Sequence, residues 1–129
     1  MRDYRDVEAY LLRYKSSFSA VESHPGTFVV QLGEGLPTAA VRVDAPLVLV
    51  RVPIVALPEP PPAALLRRLL EFNAETLVHA AYGIEGPTVV MCAALELENL
   101  DYNEIAAVLG EMELALARDV PVLREYVGK

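Results

Sequence analysis

The sequence predicts an α+β fold, an antiparallel sheet with its helices on one face, in the order α-ββββ-α-ββ-α. Three observations carry that expectation. Short apolar runs come as a group of four and then a group of two, with single amphipathic segments before, between and after them. Runs of strands separated by single helices favour an antiparallel sheet over a doubly wound one. The stretch from Leu47 to Leu97 reads strand, helix, strand, turn, strand, and its first strand is apolar on both sides. The chain has 129 residues, and a chain of that length forms one domain that buries about two-thirds of its unfolded surface in a single core.

Tyr4, Val7, Leu11 and Tyr14 recur at three and four residues with Arg5, Glu8 and Arg13 between them, which predicts an amphipathic helix ending near Lys15. Two short strands, Ser17 to Ser23 and Thr27 to Leu32, follow around His24-Pro25-Gly26, a turn whose glycine supplies the permissive backbone. After the loop Gly33 to Pro37, Thr38 to Asp44 alternates as a third strand, and Pro46 leads into the long strand from Leu47. That strand carries Val48, Val50, Val52, Ile54 and Ala56 on one face, and Leu47, Leu49, Arg51, Pro53, Val55 and Leu57 on the other. A strand apolar on both sides is covered on both sides, and Pro53 points to an edge or a bulge because it has no N–H for a ladder.

Pro62 suits the first turn of a helix. The segment Ala63 to Thr76 then places Leu65, Leu66, Leu69, Leu70 and Phe72, with Leu77 beyond them, in a broad stripe opposite Arg67, Arg68, Glu71 and Glu75. A hairpin is expected from Leu77–Tyr82 and Thr88–Leu97, folded over Gly83 to Pro87. Asp101-Tyr102-Asn103-Glu104 has capping-box spacing and opens a helix with Ile105, Val108, Leu109, Met112 and Leu116 inward. Pro121 is expected to interrupt it, before a last apolar turn through Val122, Leu123, Tyr126 and Val127.

Composition narrows the function. Hydrophobic residues make up 53% of the chain, with a mean hydropathy of +0.31, against about 45–50% in ordinary soluble domains. No apolar run nears the roughly 18 residues of a membrane span, so the excess points to self-association or a protein partner. The net charge is −7 and the only adjacent basic pair is Arg67-Arg68, which disfavours direct nucleic-acid binding. A single cysteine, Cys92, excludes an internal disulfide and suits a reducing compartment. With no apolar signal core behind Met1 to Asp6, the expected location is cytoplasmic.

Element order and local texture resemble the YbjN-like family, which shares its fold with the class I chaperones of type III secretion. The residues that carry the resemblance are Leu65-Leu66-Arg67-Arg68-Leu69-Leu70-Glu71-Phe72-Asn73, the strand Val90 to Leu97, and Leu100-Asp101-Tyr102-Asn103-Glu104-Ile105. The resemblance covers nearly the whole chain and implies a small, acidic, homodimeric cytoplasmic protein without enzymatic chemistry. Secretion chaperones of this fold bind an extended client segment along apolar grooves and strand edges, whereas YbjN-like members are linked to regulation and stress responses.

Candidate catalytic and metal groups do not converge. His79 and Cys92 fall on the two arms of the hairpin and read as a half-buried histidine beside a buried thiol, because the only other histidine, His24, lies in a distant turn. There is no Gly-x-Ser-x-Gly elbow, and Ser16, Ser17, Ser19 and Ser23 have no evident base. A calcium loop starting at Asn99 fails because Glu104 and Gly110 stand where glycine and a carboxylate are required. Gly33-Glu34-Gly35 lacks the Lys-Ser/Thr end of a phosphate loop. No catalytic residue, metal or cofactor is therefore expected.

With all helices on one face, the other face of the sheet stays bare. The expected partner or dimer interface there comprises Leu47, Leu49, Arg51, Val55, Val90, Cys92 and Ala94. Its plain reading is a homodimer interface; the fuller reading adds a client segment that pairs with a strand edge, with Arg51 as anchor for a carboxylate. The expected function is a non-enzymatic, homodimeric, chaperone-like module that binds a segment of a partner protein, in a stress response or through a nucleic-acid-maintenance partner. The alternative is a YbjN-like regulator acting through small-molecule or transient protein contacts. Neither reading involves direct nucleic-acid or membrane binding.

Overall fold

A computed structural model describes residues 2–14, 18–20 and 24–127 of the chain. Its elements are α1 (Tyr4–Tyr14), β1 (Phe18–Ala20), β2 (Thr27–Val30), β3 (Ala39–Asp44), β4 (Leu47–Ala56), α2 (Ala63–Glu75), β5 (Ala81–Glu85), β6 (Thr88–Glu96) and α3 (Tyr102–Tyr126). The order is the expected one. The six strands form one sheet, β1-β2-β3-β4-β6-β5, with every pairing antiparallel. Of the first expected strand, Ser17 and residues 21–23 lie outside the described residues, as do Lys15 and Ser16.

The core lies between one face of the sheet and the helices. Val48, Val50 and Val52 of β4 stand opposite Leu95, Ala93 and Met91 of β6, and Val43 and Val41 of β3 stand opposite Val48 and Val50. Phe28 and Val30 extend this inner face, and the helices close it with Val7 and Leu11, with Leu65, Leu69 and Phe72, and with Ile105, Leu109, Met112 and Leu116, all buried. Each such side chain stabilises the fold by about 1.5–3 kcal/mol relative to exposure. Local chemistry fixes the ends. Asp101 accepts from the Glu104 N–H at 2.9 Å while Glu104 accepts from the Asp101 N–H at 3.0 Å, so the capping box forms as its spacing predicts. Gly26, at φ +89°, turns the chain into β2 through a backbone conformation that side-chain-bearing residues rarely adopt.

Four expectations change. The register of β4 on β6 shifts between Pro53 and Val55, so Pro53 faces Val90 but Val55 faces Val89. The extra residue reverses the alternation, and Val55 packs against the core instead of standing on the outer face with Leu49. Pro53 itself is accommodated because β3 has already ended: its last pairing toward this end of β4 is Ala40 with Arg51.

Strand β5 begins at Ala81, not at Leu77, and its turn is the two residues Gly86-Pro87 between Glu85 and Thr88. The preceding N–H groups of Val78, His79 and Ala80 are held by the carboxylate of Glu111, at 2.7, 2.8 and 2.9 Å, in place of a ladder. Pro121 does not end α3, which runs on to Tyr126. Burial of Val120 and Leu123 on either side of it offsets the roughly 3 kcal/mol that an interior proline costs. Finally, Cys92 is exposed, not the buried thiol the sequence suggests, whereas the His79 side chain, 51% exposed, is half-buried as expected. His79 precedes β5 in the segment that Glu111 holds, and Cys92 points from β6 to the uncovered face.

Candidate functional site

The alternate residues of the strands make the outer face. Ala40, Arg42 and Asp44 of β3 stand opposite Arg51, Leu49 and Leu47 of β4, which in turn stand opposite Cys92, Ala94 and Glu96 of β6. Ala81 and Gly83 of β5 continue the Cys92 and Val90 rows. Six of the seven expected residues, Leu47, Leu49, Arg51, Val90, Cys92 and Ala94, therefore share this face, and Val55 does not. Val29, which pairs with Ala40, belongs to it as well.

The face is apolar and open in part: Val90 is buried, at 3% exposure, and Leu49 and Arg51 are half-buried. Val29 is 39% and Leu47 37% exposed, and Cys92 and Ala94 are also exposed. Leu49, Arg51, Cys92 and Ala94 line a shallow concavity of about 420 Å³, with His79 at its rim. Leaving such a surface in water forgoes the stabilisation that covering it would bring.

Arg51 is the polar centre of the concavity. Its terminal nitrogen donates to Glu85, while its Nε is shielded from solvent without a hydrogen-bond partner. The two side chains are 41% and 61% exposed, so solvent screening limits the pair to at most about 1 kcal/mol. The Nε is out of reach of an incoming group, but the exposed end of the planar guanidinium suits a further carboxylate or carbonyl oxygen. Arg42 pairs with Asp44 at 3.0 Å on the same face, so charge of both signs borders the apolar patch.

Elsewhere the polar groups are engaged in structure. Glu111 meets three backbone N–H groups and lies 3.8 Å from His79 Nδ1. Burial works against its ionisation, but the three N–H groups and His79 outweigh it and hold the carboxyl below its usual range. Asp119, fully buried, accepts from Tyr82 and Arg118. Burial, then the Asp119 hydrogen bond, push the Tyr82 phenol far above its usual range, and Tyr14 shifts likewise through burial and its 2.6 Å bond to Glu113. Among the described residues, no three His, Cys, Asp or Glu side chains converge as a metal site, and no helix is long and apolar enough to cross a membrane.

Sequence reading missed Asn73, Glu111 and Asp119. Asp119 was traceable, since it continues the inward series Ile105, Leu109, Met112 and Leu116 by three residues. Glu111 and Asn73 gave no signal, because their partners are backbone groups 31 to 33 and 9 residues away.

This architecture is similar to solved structures of low sequence identity. A chain of the heterodimeric ExoU–SpcU complex from the Pseudomonas aeruginosa type III secretion system matches with a TM-score of 0.69 and 15% identity, covering 89% of this chain and 95% of that one. YbjN from E. coli matches with a TM-score of 0.69 and 15% identity, covering 91% and 90%. A chain of the ExsC–ExsE complex matches with a TM-score of 0.63 and 16% identity, covering 98% and 97%. No curated protein matches the sequence. The fold is thus YbjN-like and class I chaperone-like, as the local texture of α2, β6 and the start of α3 implies. The CesT_Tir_1 profile, that of the type III chaperone family, spans residues 1–129, and the chain belongs to that family.

Proposed function

We propose that this protein is a non-enzymatic, homodimeric, chaperone-like module that binds a segment of a partner protein on the outer face of its sheet. The observation that carries the reading is the uncovered apolar patch of Val29, Leu47, Leu49, Cys92 and Ala94 around the half-satisfied Arg51. Apolar side chains supply the affinity, and Arg51 fixes the position of a carboxylate or carbonyl on the incoming surface. Membership of the type III chaperone family supports protein binding as the general activity. So does the likeness to a chain of the HopA1–SchA chaperone–effector complex, at a TM-score of 0.53 and 12% identity. The likeness to YbjN favours, as second reading, a regulator that works through transient protein or small-molecule contacts.

The test is tagged capture of partners from the source cell's lysate, with light-scattering mass determination, for the native chain and for Leu49→Asp. The expected result is a dimer with one or two stoichiometric partners, both lost in a Leu49→Asp variant that remains folded. A folded Leu49→Asp that is still dimeric and still carries its partner removes the outer face from consideration. A native dimer with no further partner leaves a plain dimer interface and favours the regulator.

A further inference from the structure

The side of α3 turned away from the core is apolar. Ala107, Leu114, Ala117 and Pro121 are all exposed there, Leu114 at 75%. Their spacing of seven, three and four residues sets them one above another along a single side of the helix. A helix lying on a core ordinarily carries its charges on that side. Here the charges stand to the flanks.

A groove runs beside this stripe. Glu111 draws the Val78–Ala80 backbone against α3 through its three N–H bonds, and Arg118 holds the Thr76 hydroxyl at 3.1 Å. Between that segment and the helix lies a concavity of about 390 Å³. Val78, 82% exposed, lines it from the segment, and Leu114 lines it from the helix. Large aliphatic side chains left in water on both elements mark a surface that gains by being covered.

The rim is acidic. Glu111 lies in the groove, and Asp101 and Glu104 border the hollow that continues it beyond Ala107. The N–H groups that Glu111 accepts from are neutral and leave its charge in place. Arg118 lines the groove too, but it already holds Asp119 at 2.7 and 3.0 Å.

We propose that this groove docks a basic amphipathic helix of a partner protein, with its apolar side on Val78 and Leu114 and its Lys or Arg side chains among Asp101, Glu104 and Glu111. A helix is the matching shape, because anchors at i, i+3, i+4 and i+7 repeat at the pitch of the exposed residues of α3. The small Ala107 and Ala117, on either side of Leu114, leave room for larger side chains from the incoming helix. Cations are the matching charge: the stems of Lys and Arg lie along apolar surface while their heads reach the carboxylates. The net charge of −7 steers such a helix inward from a distance. His79 is the residue that lines both this groove and the outer-face concavity; the other lining residues differ, so the two surfaces are tested separately.

The test titrates the full chain, by fluorescence anisotropy, with a synthetic helical peptide of leucine and lysine whose leucines fall at i, i+3, i+4 and i+7. Two controls accompany it, a scrambled peptide of the same composition and one with glutamate in place of lysine. The native chain binds the first peptide and neither control. Leu114→Gln and Val78→Ser, both at exposed positions, each weaken binding about tenfold. Glu104→Gln, which keeps the capping box, weakens binding and flattens its dependence on salt. Leu49→Asp leaves binding unchanged. No binding of the first peptide, equal binding of the scrambled one, or native affinity in a folded variant carrying both Leu114→Gln and Val78→Ser overturns the proposal. Binding abolished by Leu49→Asp moves the helix to the outer face and overturns it as well. So does a light-scattering mass that, before peptide is added, is lower for the double variant than for the native chain, since the groove then belongs to a second copy.

Discussion

The Tyr82 phenol donates a hydrogen bond of 2.8 Å to Oδ2 of Asp119, a residue with no solvent exposure. Arg118 holds the same carboxylate at 2.7 and 3.0 Å and also reaches the Thr76 hydroxyl at 3.1 Å, which in turn donates to the Phe72 carbonyl. One buried carboxylate thereby ties the edge strand β5, the long helix α3 and the C-terminal end of α2 together. A buried charge is tolerated when its lone pairs are filled in this way.

Tyr82→Phe leaves Asp119 with Arg118 alone and lowers unfolding free energy by about 1.5–3 kcal/mol, read from urea melts at neutral pH. The folded state holds the Tyr82 and Tyr14 phenols above their unfolded value near 10. Their contribution is complete below that pH and is lost as pH rises beyond it, because the unfolded chain then releases protons that the folded chain keeps. Tyr82→Phe has a shallower alkaline loss of stability than the native chain, measured as melting temperature between pH 9 and about 11.

Glu111→Ala frees the N–H groups of Val78, His79 and Ala80 at once. The expected cost is about 2–3 kcal/mol, with faster amide exchange confined to those three residues. Since the folded state lowers the Glu111 pKa below its ordinary 4.5, its contribution is present above that pH and disappears as pH falls through the folded value. The native chain therefore loses more stability than Glu111→Ala on acidification below about pH 4.5.

Leu49→Asp and Val55→Asp separate the two sides of the sheet. The first puts a charge on the uncovered face, leaves the circular dichroism spectrum native and lowers the melting temperature only by what the lost dimer contacts contributed. The second puts it beside fully buried Val89 and costs about 3 kcal/mol or more. Equal effects of the two would disprove the bulge between them.

Pro121→Ala restores an N–H that can donate to the Ala117 carbonyl in the C-terminal part of α3. The expected gain is about 1–3 kcal/mol, less than the full helix penalty because the unfolded chain also becomes more flexible. Differential scanning calorimetry reads it as a higher melting temperature.

The fold class, the order of nine elements, the capping box at Asp101, the inward stripe of α3 and, in α2, Leu65, Leu69 and Phe72 were legible in the sequence, since each rests on residues close together in the chain, whereas Leu70, expected in the same stripe, is 69% exposed. Six residues of the outer face were legible as well, because a two-residue period from Leu47 to Arg51 and from Val90 to Ala94 is a local property. Only the tertiary structure decided that Val55 turns inward, since a bulge is a relation between β4 and β6 rather than a pattern within either. The same holds for the late start of β5 and the continuation of α3 through Pro121. The first follows from a carboxylate on a helix 31 residues away from Ala80, and the second from burial that outweighs a local penalty. Short-range stereochemistry writes the elements into the chain; the partners of its polar groups are chosen only when distant segments meet.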